Sequence, residues 1–162
     1  MTIYATAGSK LYIGGVLAMK STDFVESDFT SQVWTEIGGL EGLGKLGDTS
    51  EAISVKLVGE SRTKKLKGTR DAGTMEIVAA LDASDTGQLA AITAEKSKDS
   101  YAFKLVLNDA PAGGTPSERK FIALVMSAEE QFDQANNEMK LNISLAVNSN
   151  VVRTEAAEAV GG

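Results

Sequence analysis

Residues Lys64–Ile92, KKLKGTRDAGTMEIVAALDASDTGQLAAI, decide the fold class of this chain. Lys64–Lys67 are charged and extended in character, and Gly68 and Gly73 bracket Thr69-Arg70-Asp71-Ala72. Two glycines around a polar run predict a tight turn, because glycine reaches φ > 0 at no steric cost. Met75, Ile77, Ala79 and Leu81 then alternate with Glu76, Val78, Ala80 and Asp82, the two-residue period of a strand. Asp85 stands as a helix cap, and Gln88 three residues on completes a capping-box pattern. A helix is predicted over about 86–95, with Leu89 and Ile92 as a narrow apolar stripe. Ala90, Ala91 and Ala94 are strong helix formers, and Lys96 and Lys98 suit the negative end of the helix dipole.

The same strand period recurs on both sides. Leu11–Val16, Trp34–Ile37 and Ile53–Val58 read as strands. In Tyr101–Leu107, Tyr101, Phe103, Leu105 and Leu107 share one face. Phe121–Met126 is apolar on both faces, which predicts a central or interfacial strand. Glu129-Glu130 reads as a solvated loop and Asn136-Asn137 as a turn before the clearest strand, where Met139, Leu141, Ile143, Leu145 and Val147 alternate with polar or small residues. Pro111 and Pro116 bracket a flexible connection. Seven or so strands with one helix predict a mainly β chain, a β-sandwich or barrel-like domain with a helix on its flank. No linker or repeat divides it, so 1–152 is expected to be a single domain, with 153–162 a small, acidic arm that is flexible or ordered on assembly.

Composition narrows the chemistry. The 162 residues are 43% apolar and 23% charged, ordinary for a globular domain. Zero cysteines and zero histidines exclude disulfides, thiolate metal sites and Ser-His or Cys-His nucleophile pairs. The carboxylate pairs Asp82/Asp85 and Glu129/Glu130 read as a helix start and a loop, not as an acid/base couple. A net charge of −6 argues against a surface that grips nucleic-acid phosphates. The exception is the basic cluster Arg62, Lys64, Lys65, Lys67 and Arg70, which reads equally as a lysine-guarded strand edge and as a subunit contact. No window is apolar enough to span a bilayer and the N-terminus lacks a secretory pattern, so synthesis in a cytoplasm is expected.

Two motifs tempt and fail. Gly39–Lys45 matches the first seven positions of a phosphate-binding loop, but Leu46 replaces the required Ser or Thr. Gly42-x-Gly44-x-x-Gly47 has dinucleotide-fingerprint spacing. Both need a helix directly afterwards to cradle phosphate, and here a strand is predicted instead, so 38–50 is expected to be a flexible loop. The sequon Asn142-Ile143-Ser144 lies inside the clearest strand and reads as chance. Trp34 reads as a core or interface anchor.

The order of these parts, with Gly-Thr-Arg-Asp-Ala-Gly-Thr (68–74) leading into a strand and Asp-Thr-Gly-Gln (85–88) into a helix, resembles the major tail tube protein of long-tailed, siphovirus-like bacteriophages, over about Ala5–Val152. The resemblance implies subunits in hexameric rings, whose strands close into a continuous barrel lining a channel, with rings stacked into a tube through which DNA leaves without specific binding. It implies no catalytic residue, cofactor, metal or membrane. Expected partners are other copies of the chain, tail-tip or initiator and terminator proteins, and a tape-measure protein in the lumen. The expected location is the virion tail after synthesis in the bacterial host. On the same resemblance, assembly contacts are expected at Gly39, Gly42 and Gly44 in the 38–50 loop and at Lys64, Lys65, Lys67, Gly68, Arg70, Asp71 and Gly73. Tubes of gene-transfer particles, contractile tails and type VI secretion share this architecture. The rivals of other classes are a monomeric β-sandwich decoration or binding module and a small hydrolase using a carboxylate pair. At 6% aromatic residues the chain has little material for a binding patch.

Overall fold

The computed structural model describes residues 2–159. Its strands are β1 (Lys10–Val16), β2 (Thr35–Ile37), β3 (Leu40–Gly42), β4 (Thr49–Val55), β5 (Lys64–Asp71) and β6 (Thr74–Ala80), followed after the helix α1 (Thr86–Glu95) by β7 (Tyr101–Val106), β8 (Glu118–Gln131), β9 (Lys140–Val147) and β10 (Val152–Thr154). The chain is mainly β and its sheets are antiparallel throughout. The main sheet runs β2-β1-β7-β8-β9-β6-β3, with β10 also paired to β8, while β4 and β5 form a separate two-stranded sheet.

Strand β8 organises the sheet. Its first half pairs with β7 and β10, and its second half pairs with β9. Between Val125 and Ser127 the register slips, leaving Met126 as a bulge, which bends and twists a strand. Inward-facing residues of six strands, among them Leu11, Ile37, Met75, Ile77, Phe103, Phe121, Leu141 and Leu145, are buried in one cluster. One face of a single sheet can converge on a common centre only by curling, so the body is barrel-like. Ala91 and Ala94 of α1 join that core, and α1 packs against β8, β2 and β1. Each fully buried Leu, Ile or Phe contributes about 1.5–3 kcal/mol, so this shared interior is the main source of stability.

The double-sided apolar character of 121–126 has a clear cause. Phe121, Ala123 and Val125 face the main core, whereas Ile122 joins a second cluster with Phe24, Phe29 and Ala102 on the reverse face. The segment before β2 covers that face: Phe24 lies 5.7 Å from Phe29, Phe29 stacks 6.5 Å from Trp34, and Asn150 brackets Phe24 by accepting from its N–H at 2.7 Å and donating to its C=O at 3.0 Å. Trp34 is thus a packing anchor.

Five expectations are corrected. The turn after the basic strand is shorter than 68–73: β5 continues to Asp71, and Gly68 sits within it at a register slip between Ser50 and Ala52. Glu129 and Glu130 belong to β8, not to a loop, because β9 pairs with them. Residues 40–42 form β3 on the edge of β6, so the glycine-rich stretch is not a free loop. The helix has its expected span and Asp85 accepts from the Gln88 N–H at 2.9 Å, but its buried residues are Gly87, Gln88, Ala91 and Ala94, while Leu89 is exposed. A Cβ on Gly87 would stand 2.0 Å from the Glu36 carbonyl oxygen. That missing side chain lets α1 settle directly on β2, with Ile92 of the expected stripe packed against the core and Leu89 turned outward. Nor does Gln88 complete a capping box. Its buried amide donates to the carbonyls of Gly38 and Ala80 and accepts from the Asp82 N–H, each at 2.9 Å.

Candidate assembly surface

Strands β4 and β5 form a hairpin that none of the main-sheet strands pairs with. Its strand residues are exposed except for the half-buried Val55 and Gly68. An isolated two-stranded hairpin is marginal in water, and this one also displays an apolar pair. Ile53 and Leu66 lie directly opposite one another and are 49% and 59% exposed. Residues 49–71 hold six Lys or Arg against three Asp or Glu in a chain of net charge −6, so the hairpin is the basic projection of an acidic body. The strand character of Ile53 and Val55 was readable in sequence, but the exposure of Ile53 and its pairing with an exposed Leu66 were not.

The root of the hairpin is tied. Arg70 pairs with Asp48 at 2.6 Å, Thr49 Oγ1 donates to the Asp71 carbonyl at 3.3 Å, and Asp71 Oδ1 accepts from the Gly73 N–H at 2.8 Å. Gly73 turns the chain into β6 at φ 73°. Lys64 pairs with Glu60 at 3.0 Å, whereas Lys65 and Lys67 make no ion pair among the described residues.

The three glycines of the earlier stretch lie elsewhere. Gly42 belongs to β3, and a Cβ on Gly39 or Gly44 would meet the carbonyl oxygen of Ala80 at 2.9 Å or of Glu76 at 2.6 Å. They allow 39–44 to run tightly along β6, with Leu40, Leu43 and Leu46 packed on the core. The ten assembly candidates therefore separate into an edge segment on the body and a projecting hairpin. The phosphate-loop spacing leads into β4 and not into a helix.

On the other side of β6 and β9 from the core lies a polar surface. Ser144 donates to Glu76 at 3.1 Å, and the Asn142 amide donates to Gln131 at 2.9 Å. The carboxylate pairs have structural tasks. Asp82 accepts from the Ser84 N–H and hydroxyl, which holds its pKa low, and Asp85 accepts from the N–H groups of Gln88 and Gly38. An open cleft of about 740 Å³ lies beside the hairpin root. Of its charges, Arg70 pairs with Asp48, Arg153 pairs with Glu155, Asp109 accepts from the hydroxyl and N–H of Ser117, and Arg119 donates to the Glu118 carbonyl, whereas Asp23 makes no ion pair among the described residues.

Sequence reading missed one buried centre. Lys120 is 7% exposed and its ammonium donates to Glu26 and to Glu118, the latter at 3.1 Å. These bonds hold the Lys120 pKa up against desolvation and hold the Glu26 carboxyl below its ordinary range. Glu26 also accepts from Thr154 at 3.1 Å, linking the centre to β10. Arg153 and Thr154 pair with β8, Ala157 bridges Thr115, and 160–162 of the expected arm lie outside the described residues.

No protein-family model and no curated protein sequence matches the chain. Solved structures do match its fold. A chain of the six-fold symmetrised baseplate of the anti-feeding prophage aligns with TM-score 0.69 and 13% identity, covering 96% of this chain and 98% of that one. A chain from the tail of an empty gene transfer agent particle, refined with C6 symmetry, gives TM-score 0.60 and 16% identity over 89% and 95%. The SPP1 tail tube gives 0.59 and 15% over 91% and 76%. The fold is that of tail tube proteins. The proteins that share it here are structural parts of phage tails, gene transfer agents and contractile injection systems.

Proposed function

We propose that this chain is the tube subunit of a long-tailed, siphovirus-like phage particle, assembling into hexameric rings that stack into the channel for DNA. The observation that carries this is the exposed β4–β5 hairpin with its Ile53–Leu66 pair, which a monomer would have no reason to display. Residues 1–152 serve as the tube domain and 153–162 as a terminal arm, of which Arg153, Thr154 and Ala157 already pair with the same chain. The polar face of β6 and β9, with Glu76, Asn142 and Ser144, suits the channel wall, because carboxylates there would repel phosphates and let DNA slide. Initiator, terminator and tape-measure proteins would then be its partners in the virion tail.

Negative-stain microscopy of the concentrated protein beside a mass measurement tests this reading. Six-fold rings or hollow tubes are expected. A strict monomer, even with a tail-tip template, would give the lead to a decoration module. The tube of a contractile system is the second reading, favoured by the TM-score of 0.69 to the anti-feeding prophage chain; a sheath around the tubes in intact particles would establish it over the first.

A further inference from the structure

The hairpin leaves the body at a definite pole. β6 and β9 pair from Thr74↔Ala146 to Ala80↔Lys140. The hairpin joins β6 at its Thr74 end, while the β8–β9 turn lies beyond its Ala80 end, about 20 Å away at about 3.3 Å per strand residue. At that far pole Phe132 and Met139 come next after the Gln131–Lys140 pair and are 52% and 54% exposed. Around them Glu130, Asp133, Glu138 and Glu41 are exposed. Lys140 is 4.0 Å from both Glu41 and Glu138, and crowding by Glu138 raises the Glu41 pKa above its ordinary range. This surface is thus short of positive charge. Among the described residues no three carboxylates gather closely enough to hold one cation, so what fits is an extended basic surface.

We infer that the two poles are a matched pair: the Ile53–Leu66 face and Lys65/Lys67 of one copy dock on the Phe132–Met139 face and its carboxylates on the next copy. Each pole carries two exposed apolar residues, Ile53 and Leu66 paired across the hairpin and Phe132 and Met139 just beyond the last β8–β9 pair, and the surrounding charges are opposite in sign. Because the poles lie at opposite ends of the same strands, the contact is heterologous. Such a contact repeats without closing on itself, which propagates the assembly along one axis. The inference rests on the tube-subunit reading and names the contact between successive layers.

Charge reversal tests the pairing. K65E/K67E and, separately, E130K/E138K should each fold normally by circular dichroism, since all four positions are exposed, and each should lose about tenfold or more of its pelletable assembly. Combining all four reversals should restore assembly. Mixing the two reversed proteins offers the native contact in one direction and the charge-swapped contact in the other, while like pairs with like repel, so sedimentation should show the two co-assembling in alternation and dissociating with salt. Normal assembly by both reversed proteins, or a mixture that forms no complex, overturns the pairing and leaves the tube reading standing. If the wild type forms neither rings nor tubes, the tube reading fails, and the mixture still reports on the docking by itself.

Discussion

Gln88 offers the sharpest test of how the structure is held. Its side chain is 1% exposed and its three hydrogen bonds, all at 2.9 Å, tie the end of β6 to Gly38 and to the start of α1. Gln88→Leu keeps much of the volume and removes all three bonds. At a net value of about 1 kcal/mol per bond, the loss is about 3 kcal/mol. For a chain of 162 residues that corresponds to a fall of about 9 °C in Tm, taking about 2.1 cal/mol/K of unfolding entropy per residue. Urea denaturation of the wild-type and variant subunits, under conditions that keep both unassembled, should show a lower midpoint at unchanged slope. Gln88→Glu should cost more at neutral pH, since a carboxylate would face the carbonyls of Gly38 and Ala80. It should recover in part as the pH falls and the new group gains a proton. A loss under about 1 kcal/mol for Gln88→Leu, or no pH-dependent recovery for Gln88→Glu, would refute the view that this amide joins β6 to the helix.

Further substitutions probe other joints. Gly87→Ala gains about 1 kcal/mol of helix propensity, but its Cβ would press on the Glu36 carbonyl at 2.0 Å. Overpacking of about 3 kcal/mol should win, and a lower Tm would record it. Asn150→Ala removes both bonds to Phe24 and should cost about 2 kcal/mol, with increased hydrogen exchange at the Phe24 amide. Glu26 has a lowered pKa, first through its bond to Lys120. Its contribution is therefore complete above the unfolded carboxylate pKa of about 4.3 and is lost as pH falls through the lower folded value. Acid unfolding of Glu26→Gln should be flatter over that window, and a curve parallel to the wild type would contradict the assignment.

How far the chain could be read without coordinates depended on which residues faced one environment. β6 and β9 were legible because one face of each is buried and the other is not, so Met75-Ile77 and Leu141-Ile143-Leu145 carry a period of two. The centrality of 121–126 was legible because both faces are covered, each by its own cluster. The span of α1 followed from Asp85 and the alanines, but its buried face did not, since the close approach is permitted by an atom Gly87 lacks. Glu129 and Glu130 read as loop because partnership with β9, and not their own preference, makes them strand.

The sequence by itself determined a mainly β chain with one capped helix, and it excluded cysteine and histidine chemistry. Those conclusions follow from residue identity and local period, which are set within a few neighbouring positions. Only the tertiary structure decided that β4 and β5 stand apart from the sheet, that Ile53 and Leu66 are exposed, that Lys120 is buried between two carboxylates, and that the basic hairpin and the acidic turn occupy opposite ends of β6. A strand alternates in the same way whether its apolar side meets a core, solvent or another molecule. Which of these it meets depends on pairings between residues far apart in the chain.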